Sequence, residues 1–168
     1  MTIYWTEFHH KNWRFRLAAT EKGLCYASPH HLAVNEMAAF LQKQCPREEM
    51  KENKKILEPY AAELCEYWEN NRQEFVSKVD LCGTPFQQKV WQALRHIPFG
   101  QTVTYSDIAK SIGKPNAARA VGAAVGANPI FIIIPCHRVI GKNGTLTGFR
   151  GGLDMKKRLL ALEKGQGI

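Results

Sequence analysis

Between Thr84 and Gly126 the chain is punctuated as three short helices, and this punctuation restricts its possible folds more than any other stretch. Thr84-Pro85-Phe86-Gln87 fits a capping box with proline at the first helical position. Phe86, Val90, Trp91, Leu94 and Ile97 then fall on one helical face, and Pro98-Phe99-Gly100 ends the helix. Thr104 can cap a second helix carrying Ile108, Ala109 and Ile112, with Asp107 at the box position and Gly113 as its stop. Pro115-Asn116 opens a third, Ala117 to Val125, closed by Gly126. Tight turns between the last two fit a helix-turn-helix, and the same spacing also fits an ordinary three-helix cluster.

The third helix is made almost wholly of small residues, with Arg119 as its only charge. A helix that reads bases in the major groove needs several Arg, Asn or Gln side chains for directional hydrogen bonds, and this one lacks them. Small residues would let a backbone approach the minor groove closely, with a lone Arg entering the base stack as a wedge. They would equally suit packing against neighbouring helices.

The first half reads differently. Ile3 to Phe8, Trp13 to Ala19 and Gly23 to Ala27 are rich in β-formers and predict a small antiparallel sheet. A helical segment with Leu32, Met37, Phe40 and Leu41 near one face follows. Pro46 to Lys55 reads as a charged, solvated loop, and Ile56 to Asn71 as a second helix. The expected architecture is therefore α/β (α+β), with domains over residues 1–80 and 81–168 and a boundary near Val79 to Gly83. Repeats and low-complexity segments are absent.

Charge supports the division. Residues 1–80 carry 11 Lys/Arg and 12 Asp/Glu, whereas residues 81–168 carry 12 and 3, so a net charge of +9 lies in the second half. Such asymmetry is a footprint of a module that meets a polyanion, with nucleic acid the first candidate. A charged fraction of 23% and a hydrophobic fraction of 45% exclude a disordered chain. No apolar run reaches the roughly 18 residues of a membrane span. The start, with Glu7 and two early histidines, does not read as a signal peptide. These features predict a soluble, cytoplasmic protein whose five scattered cysteines are free thiols.

Chemistry concentrates in Pro135-Cys136-His137-Arg138-Val139-Ile140, which follows Asn128-Pro129 and the apolar, β-like run Ile130 to Ile134. An imidazole near a cysteine can take its proton or stabilise its charge, and thiolate is the reactive form. Adjacent residues in an extended chain point to opposite faces, so direct contact between Cys136 and His137 needs a turn, or else a bridging water. A histidine base needs a partner to orient it. Of the three carboxylates in the basic half, Asp107 fits a capping box and Asp154 could cap a last helix, Met155 to Lys164. Glu163 remains, on or beside the apolar face of that helix. Cys25, Cys45, Cys65 and Cys82 lack such surroundings, and no histidine or cysteine pair has the short spacing of zinc modules, so no metal site is expected.

Taken together, these motifs resemble the O6-alkylguanine-DNA alkyltransferases, also called methylated-DNA protein-cysteine methyltransferases. The matching elements run in order: Gly83-Thr84-Pro85-Phe86-Gln87 with Val90-Trp91, Ile97-Pro98-Phe99-Gly100, Thr104-Tyr105, and Ala118-Arg119-Ala120-Val121-Gly122. Asn128-Pro129, Pro135-Cys136-His137-Arg138-Val139, Gly148-Phe149-Arg150-Gly151-Gly152-Leu153, and Leu159-Leu160 with Glu163 complete the series. They span about half of the chain; the first 80 residues are similar only through their strand-then-helix order.

The resemblance implies a ribonuclease-H-like N-terminal domain and a helix-turn-helix, winged-helix-like catalytic domain. It implies repair of O6-alkylguanine in duplex DNA by base flipping and irreversible transfer of the alkyl group to Cys136, without a cofactor, by a monomer needing no protein partner. Cys136 resembles the acceptor thiolate, His137 the base acting through a water, and Glu163 the carboxylate behind it. Asn128 would brace the turn leading to the strand that delivers the cysteine. Tyr105 would press on the target nucleotide's phosphate and donate to the leaving oxygen. Arg119 would fill the vacated stack, with Ala118, Ala120 and Gly122 beside it on the DNA. Phe149, Arg150 and Gly151 would wall the pocket, and Val139 and Cys136 would offer backbone carbonyls to the guanine amino group. In the family Phe149 is often a tyrosine and the residue at Arg150 varies. The zinc-binding Cys and His positions of some animal members are not reproduced.

Three other functions fit parts of the chain, of which a regulator that also senses methylation is disfavoured by the lack of a separate sensor or activation domain. A binding protein without chemistry would lack the acceptor, and Cys136 argues against it. A thiol hydrolase would need an oxyanion hole and would leave the three-helix segment without a role.

Overall fold

The computed structural model describes residues 1–32 and 34–165, so the last three positions of the expected second domain lie outside the described residues. The chain forms two compact units, Met1–Cys82 and Gly83–Ile168. It is mixed α/β.

In the first unit, β1 (Thr2–His10), β2 (Trp13–Thr20) and β3 (Gly23–Pro29) pair antiparallel, as their β-forming composition predicts. Helix α1 (Val34–Gln44) follows. Met37 and Leu41 from it pack with Ile3, Ala18, Cys25 and Tyr26 in one buried cluster, while Leu32 precedes the helix. The stretch expected to be a loop contains β4 (Glu49–Glu52), which pairs parallel with β1 and makes the sheet order β3-β2-β1-β4. Its charges hid the one apolar residue that matters: Met50 pairs with Ile3 and packs on the core cluster. Charged side chains at the exposed edge discourage further strand addition. Helix α2 (Lys54–Trp68) begins earlier than expected because Asn53 caps it, accepting from the Ile56 amide at 3.2 Å. It ends before Asn70, whose φ of 61° is left-handed. Trp68 at its end stacks on Trp13 at 5.1 Å between ring centroids and meets Phe15 edge-on at 5.2 Å.

The second unit opens with α3 (Pro85–Leu94), and the Thr84/Gln87 capping box forms in full. A two-residue strand β5 (Val103–Thr104) leads into α4 (Tyr105–Ser111), which the Thr104/Asp107 box caps in the same way. Gly113, with φ of +75°, supplies the left-handed turn out of it. Helix α5 (Ala118–Gly126) buries Val121, Ala124 and Val125, and Gly126 lies inside it rather than closing it. The Trp91 indole donates to the Ala124 carbonyl at 2.8 Å, tying α3 to α5.

Two sequence expectations fail beyond this point. Ile130 to Ile134 is fully buried but is a turn, not a strand: the Ile134 amide donates to the Ile130 carbonyl at 3.1 Å, and Ile132 has a φ of 72°. Five apolar residues in a row record burial without alternation, so periodicity cannot separate a strand from a buried turn. Asn128 supplies hydrogen bonds that a neighbouring strand would otherwise give. The last helix, α6, runs Leu153–Glu163 and has Gly152, not Asp154, at its N-cap. Asp154 sits inside the first turn, where a carboxylate still opposes the positive end of the helix dipole. No helix among the described residues is long and apolar enough to cross a membrane.

Candidate active site

The site grows from Asn128, which is buried just after α5. Its amide nitrogen donates to the Ile134 carbonyl at 2.8 Å and its amide oxygen accepts from the Ile130 N–H at 2.9 Å. One side chain thus closes the whole 130–134 turn. The strain of a β-branched residue at positive φ, of order 1–3 kcal/mol, is held by this brace. The turn delivers Cys136, His137 and Arg138 in a single 3₁₀ turn that enters β6 (Val139–Ile140). Strand β6 pairs parallel with β5, Val103 opposite Val139, and so sets Tyr105 at the start of α4 close to the cysteine turn.

Cys136 is 4% exposed and lies at the wall of a small pocket. Tyr105, Gly122, Asn128, Phe149 and Arg150 share its lining, joined by Val125, Gly126, Phe131 and Gly148. The Tyr105 hydroxyl is hydrogen-bonded to the Thr147 hydroxyl at 2.7 Å. Gly151 is buried where a Cβ would come within 2.9 Å of the Phe149 and Phe131 rings and 2.8 Å of the Met155 sulfur, so only glycine fits unmoved. On α5, Arg119 and Ala120 are exposed, and Ala118 and Gly122 are half-buried. The small residues therefore divide between an inner packing face and an outer face carrying Arg119.

Behind the pocket lies a buried charge cluster. His137 is fully enclosed, and its Nε2 lies 3.0 Å from Glu163 Oε2. Arg138 Nε donates to Glu163 Oε1 at 2.6 Å, its Nη2 also contacts that oxygen, and its Nη1 donates to the Ile97 carbonyl at 2.7 Å. Sequence reasoning missed Arg138, although a second basic residue beside the cysteine and only one spare carboxylate hinted at sharing. It also missed Lys156, which is 1% exposed and donates from Nζ to the Val139 carbonyl at 2.7 Å. The signal was present: Lys156 precedes Glu163 by two helical turns on the apolar face of α6. Thr147 left no signal at all.

The electrostatics are divided. Burial pushes the Cys136 thiol up, while a hydrogen bond from Asn128 and the charges of Arg150 and Lys156 act against it. Burial also holds His137 below its ordinary range, outweighing Glu163. Glu163 is itself opposed by burial, but hydrogen bonds and charge from His137 and Arg138 outweigh it and keep the carboxyl ionised. A neutral imidazole that gives its Nε2 hydrogen to this carboxylate presents Nδ1 as the basic nitrogen. The arrangement can take a proton from a thiol and hold the resulting cation. Among the described residues no group of three or more Cys, His, Asp or Glu is placed to hold a metal ion.

Residues 85–165 match the family model for the 6-O-methylguanine DNA methyltransferase, DNA binding domain. The chain is 50% identical to an inducible methylated-DNA–protein-cysteine methyltransferase of Bacillus subtilis, over 97% of this chain and 91% of that protein. This chain belongs to the methylated-DNA–protein-cysteine methyltransferase family. A second member, from Methanosarcina acetivorans, is 46% identical over 88% of this chain and 89% of its own. The crystal structure of Mycobacterium tuberculosis OGT in complex with DNA superimposes with a TM-score of 0.83 at 38% identity, covering 98% of this chain and 94% of that one. Family membership thus covers both units, including the first 82 residues, where motifs alone gave only a loose resemblance.

Proposed function

We propose that this methyltransferase-family chain repairs DNA by moving the alkyl group of O6-alkylguanine onto its own Cys136, once per molecule. The observation that carries the reading is the placement of Cys136 at a pocket shared with Tyr105, Phe149 and Arg150, in a chain whose relatives are named for transfer to protein cysteine. The partner is duplex DNA, in keeping with the DNA-bound relative and the net charge of +9 on residues 81–168.

The alkylated oxygen lies within the duplex, so the base is flipped out to meet the thiol, at a cost of a few kcal/mol. Arg119, exposed on α5, fills the vacated stack, and Ala118, Ala120 and Gly122 let the helix come close to the DNA backbone. His137, through a water, accepts the Cys136 proton, and Glu163 stabilises the imidazolium. The sulfur attacks the alkyl carbon in line; the C–S bond forms as the C–O bond breaks, and the electron pair leaves on the guanine oxygen. That oxygen takes a proton from the Tyr105 hydroxyl. The Val139 and Cys136 carbonyls accept from the guanine amino group. Lys156 already donates to the first and the Val139 amide to the second, so each would use a further lone pair. The product is a thioether, which has no carbonyl for water to attack, so the protein is not regenerated. No cofactor enters the reaction.

Residues 81–168 are read as a helix-turn-helix, winged-helix-like domain: α3 to α5 form the three-helix segment, with α5 as the helix that meets DNA. Residues 1–80 are read as a ribonuclease-H-like supporting domain, a reading favoured by the antiparallel β1–β3 followed by a helix.

The test is to incubate the protein with a short duplex bearing a single O6-methylguanine and weigh it intact. The expected result is a gain of one CH2 per repaired lesion, mapped to Cys136. A Cys136→Ala variant that gained the same mass would overturn the site.

A further inference from the structure

The guanidinium of Arg150 joins two parts of the pocket that are distant in sequence. Its Nη2 donates to the backbone carbonyl of Asn128 at 2.8 Å, and its carbon lies 4.8 Å over the Phe131 ring. Phe131 in turn meets Phe149, the neighbour of Arg150, with centroids 5.4 Å apart. Asn128 is the residue whose side chain closes the turn leading to Cys136. All five residues line one pocket. A cation lying on an aromatic face and hydrogen-bonded through its fork has lost the freedom of a surface arginine, so its charge stays at the pocket.

We propose that Arg150 is a positioning residue for alkyl transfer: it locks the Gly148–Arg150 wall against the Asn128 hinge and keeps a fixed positive charge beside the Cys136 sulfur, favouring thiolate. The inference rests on Cys136 being the acceptor. The other groups that face the sulfur are Asn128 from the hinge and Lys156 from α6, with burial of the thiol acting against all three. His137 follows in the chain, backed by Glu163 and Arg138. Lys156 is spent on the Val139 carbonyl. Lys156 also lies over the Phe149 ring, 5.9 Å from its centroid, so Arg150 is distinguished by its hydrogen bond from the wall to the Asn128 carbonyl.

The experiment measures the rate of Cys136 alkylation against pH, with free O6-methylguanine base and with a duplex bearing one such lesion. The variants are Arg150→Met, Arg150→Gln and Arg150→Lys, each checked for folding by thermal melting. Met and Gln are expected to slow both substrates by about 10–100-fold, the scale of a small misplacement of reacting groups. They should also move the acid limb of the profile to higher pH. Lys should return the limb toward wild type while remaining slower, because it carries the charge without the fork. A loss equal at every pH that Lys does not relieve would make Arg150 a packing residue and overturn the proposal, as would variants indistinguishable from wild type. A wild-type protein that gained no mass at Cys136 would instead overturn the acceptor reading on which the proposal stands.

Discussion

Arg138 and Glu163 form the closest-knit pair in the site: the Arg138 Nε–H meets Glu163 Oε1 at 2.6 Å, with both side chains buried. The same carboxylate holds His137 through its other oxygen at 3.0 Å. One acid therefore serves two bases, and the stability of the turn and the orientation of the imidazole depend on the same group.

Removing that acid should cost stability as well as reaction. Glu163→Gln leaves the Arg138 charge buried without its counter-ion, a change worth about 3–5 kcal/mol in buried pairs. Urea unfolding of the variant is expected to shift its midpoint down by a corresponding amount. Alkyl transfer, measured on the fraction still folded, should fall too, because the imidazole loses its orienting acceptor. A variant as stable as the parent would show that Arg138 finds another partner.

The pH dependence follows from the directions of the shifts. His137 is held below its ordinary value of about 6.5 by burial, so the folded protein binds this proton less readily than the unfolded chain does. Its contribution to stability is complete above that value and is lost as pH falls toward the lower folded-state pKa. Glu163, also lowered, adds a second loss at more acid pH, as it becomes protonated. Denaturant titrations across the acid range should show stability declining from about pH 6.5 downward. His137→Gln should remove the first part of that decline. Alkyl transfer should lose its base over the same range.

Arg119 separates extrusion from chemistry. It is exposed on α5 and does not line the pocket, so Arg119→Ala should leave reaction with free O6-methylguanine base nearly intact. Repair of the same lesion in a duplex should slow by roughly 10–100-fold, the equivalent of part of the cost of unstacking a base. Paired rate measurements on the two substrates check this, and equal losses would remove the wedge role.

Gly151 packs against Phe131 and Phe149, two residues that line the pocket. A Cβ there would press on Phe131, Phe149 and Met155. Gly151→Ala should push the Phe149 wall inward, slowing transfer of a bulky alkyl group more than transfer of methyl. Competition between O6-methyl- and O6-benzylguanine duplexes measures the ratio. A ratio unchanged from wild type would mean that the rings move aside freely.

Local chemistry was legible from the chain alone wherever the partners are near neighbours. Both capping boxes were readable because a cap and its box residue stand three positions apart, and the Cys136-His137 candidate was visible because the two are adjacent. The choice of Glu163 was reached by elimination among three carboxylates, and it depended on the basic half being so poor in acids. Beta-strand β4 was not readable, since a single apolar Met50 among charges carries no periodicity, and its pairing with Ile3 is a long-range event.

What the amino-acid sequence determined by itself was the two capping boxes, the Cys136-His137 step and the family resemblance, because each is written in short-range spacing. Only the tertiary structure decided that Arg138 shares Glu163, that Lys156 is sealed against the Val139 carbonyl, that Arg150 reaches back to Asn128, and that the apolar run before Cys136 bends instead of extending. The reason is physical. A buried charge must find its partner wherever the packed chain brings one, and that location is a property of the fold, not of the neighbouring residues.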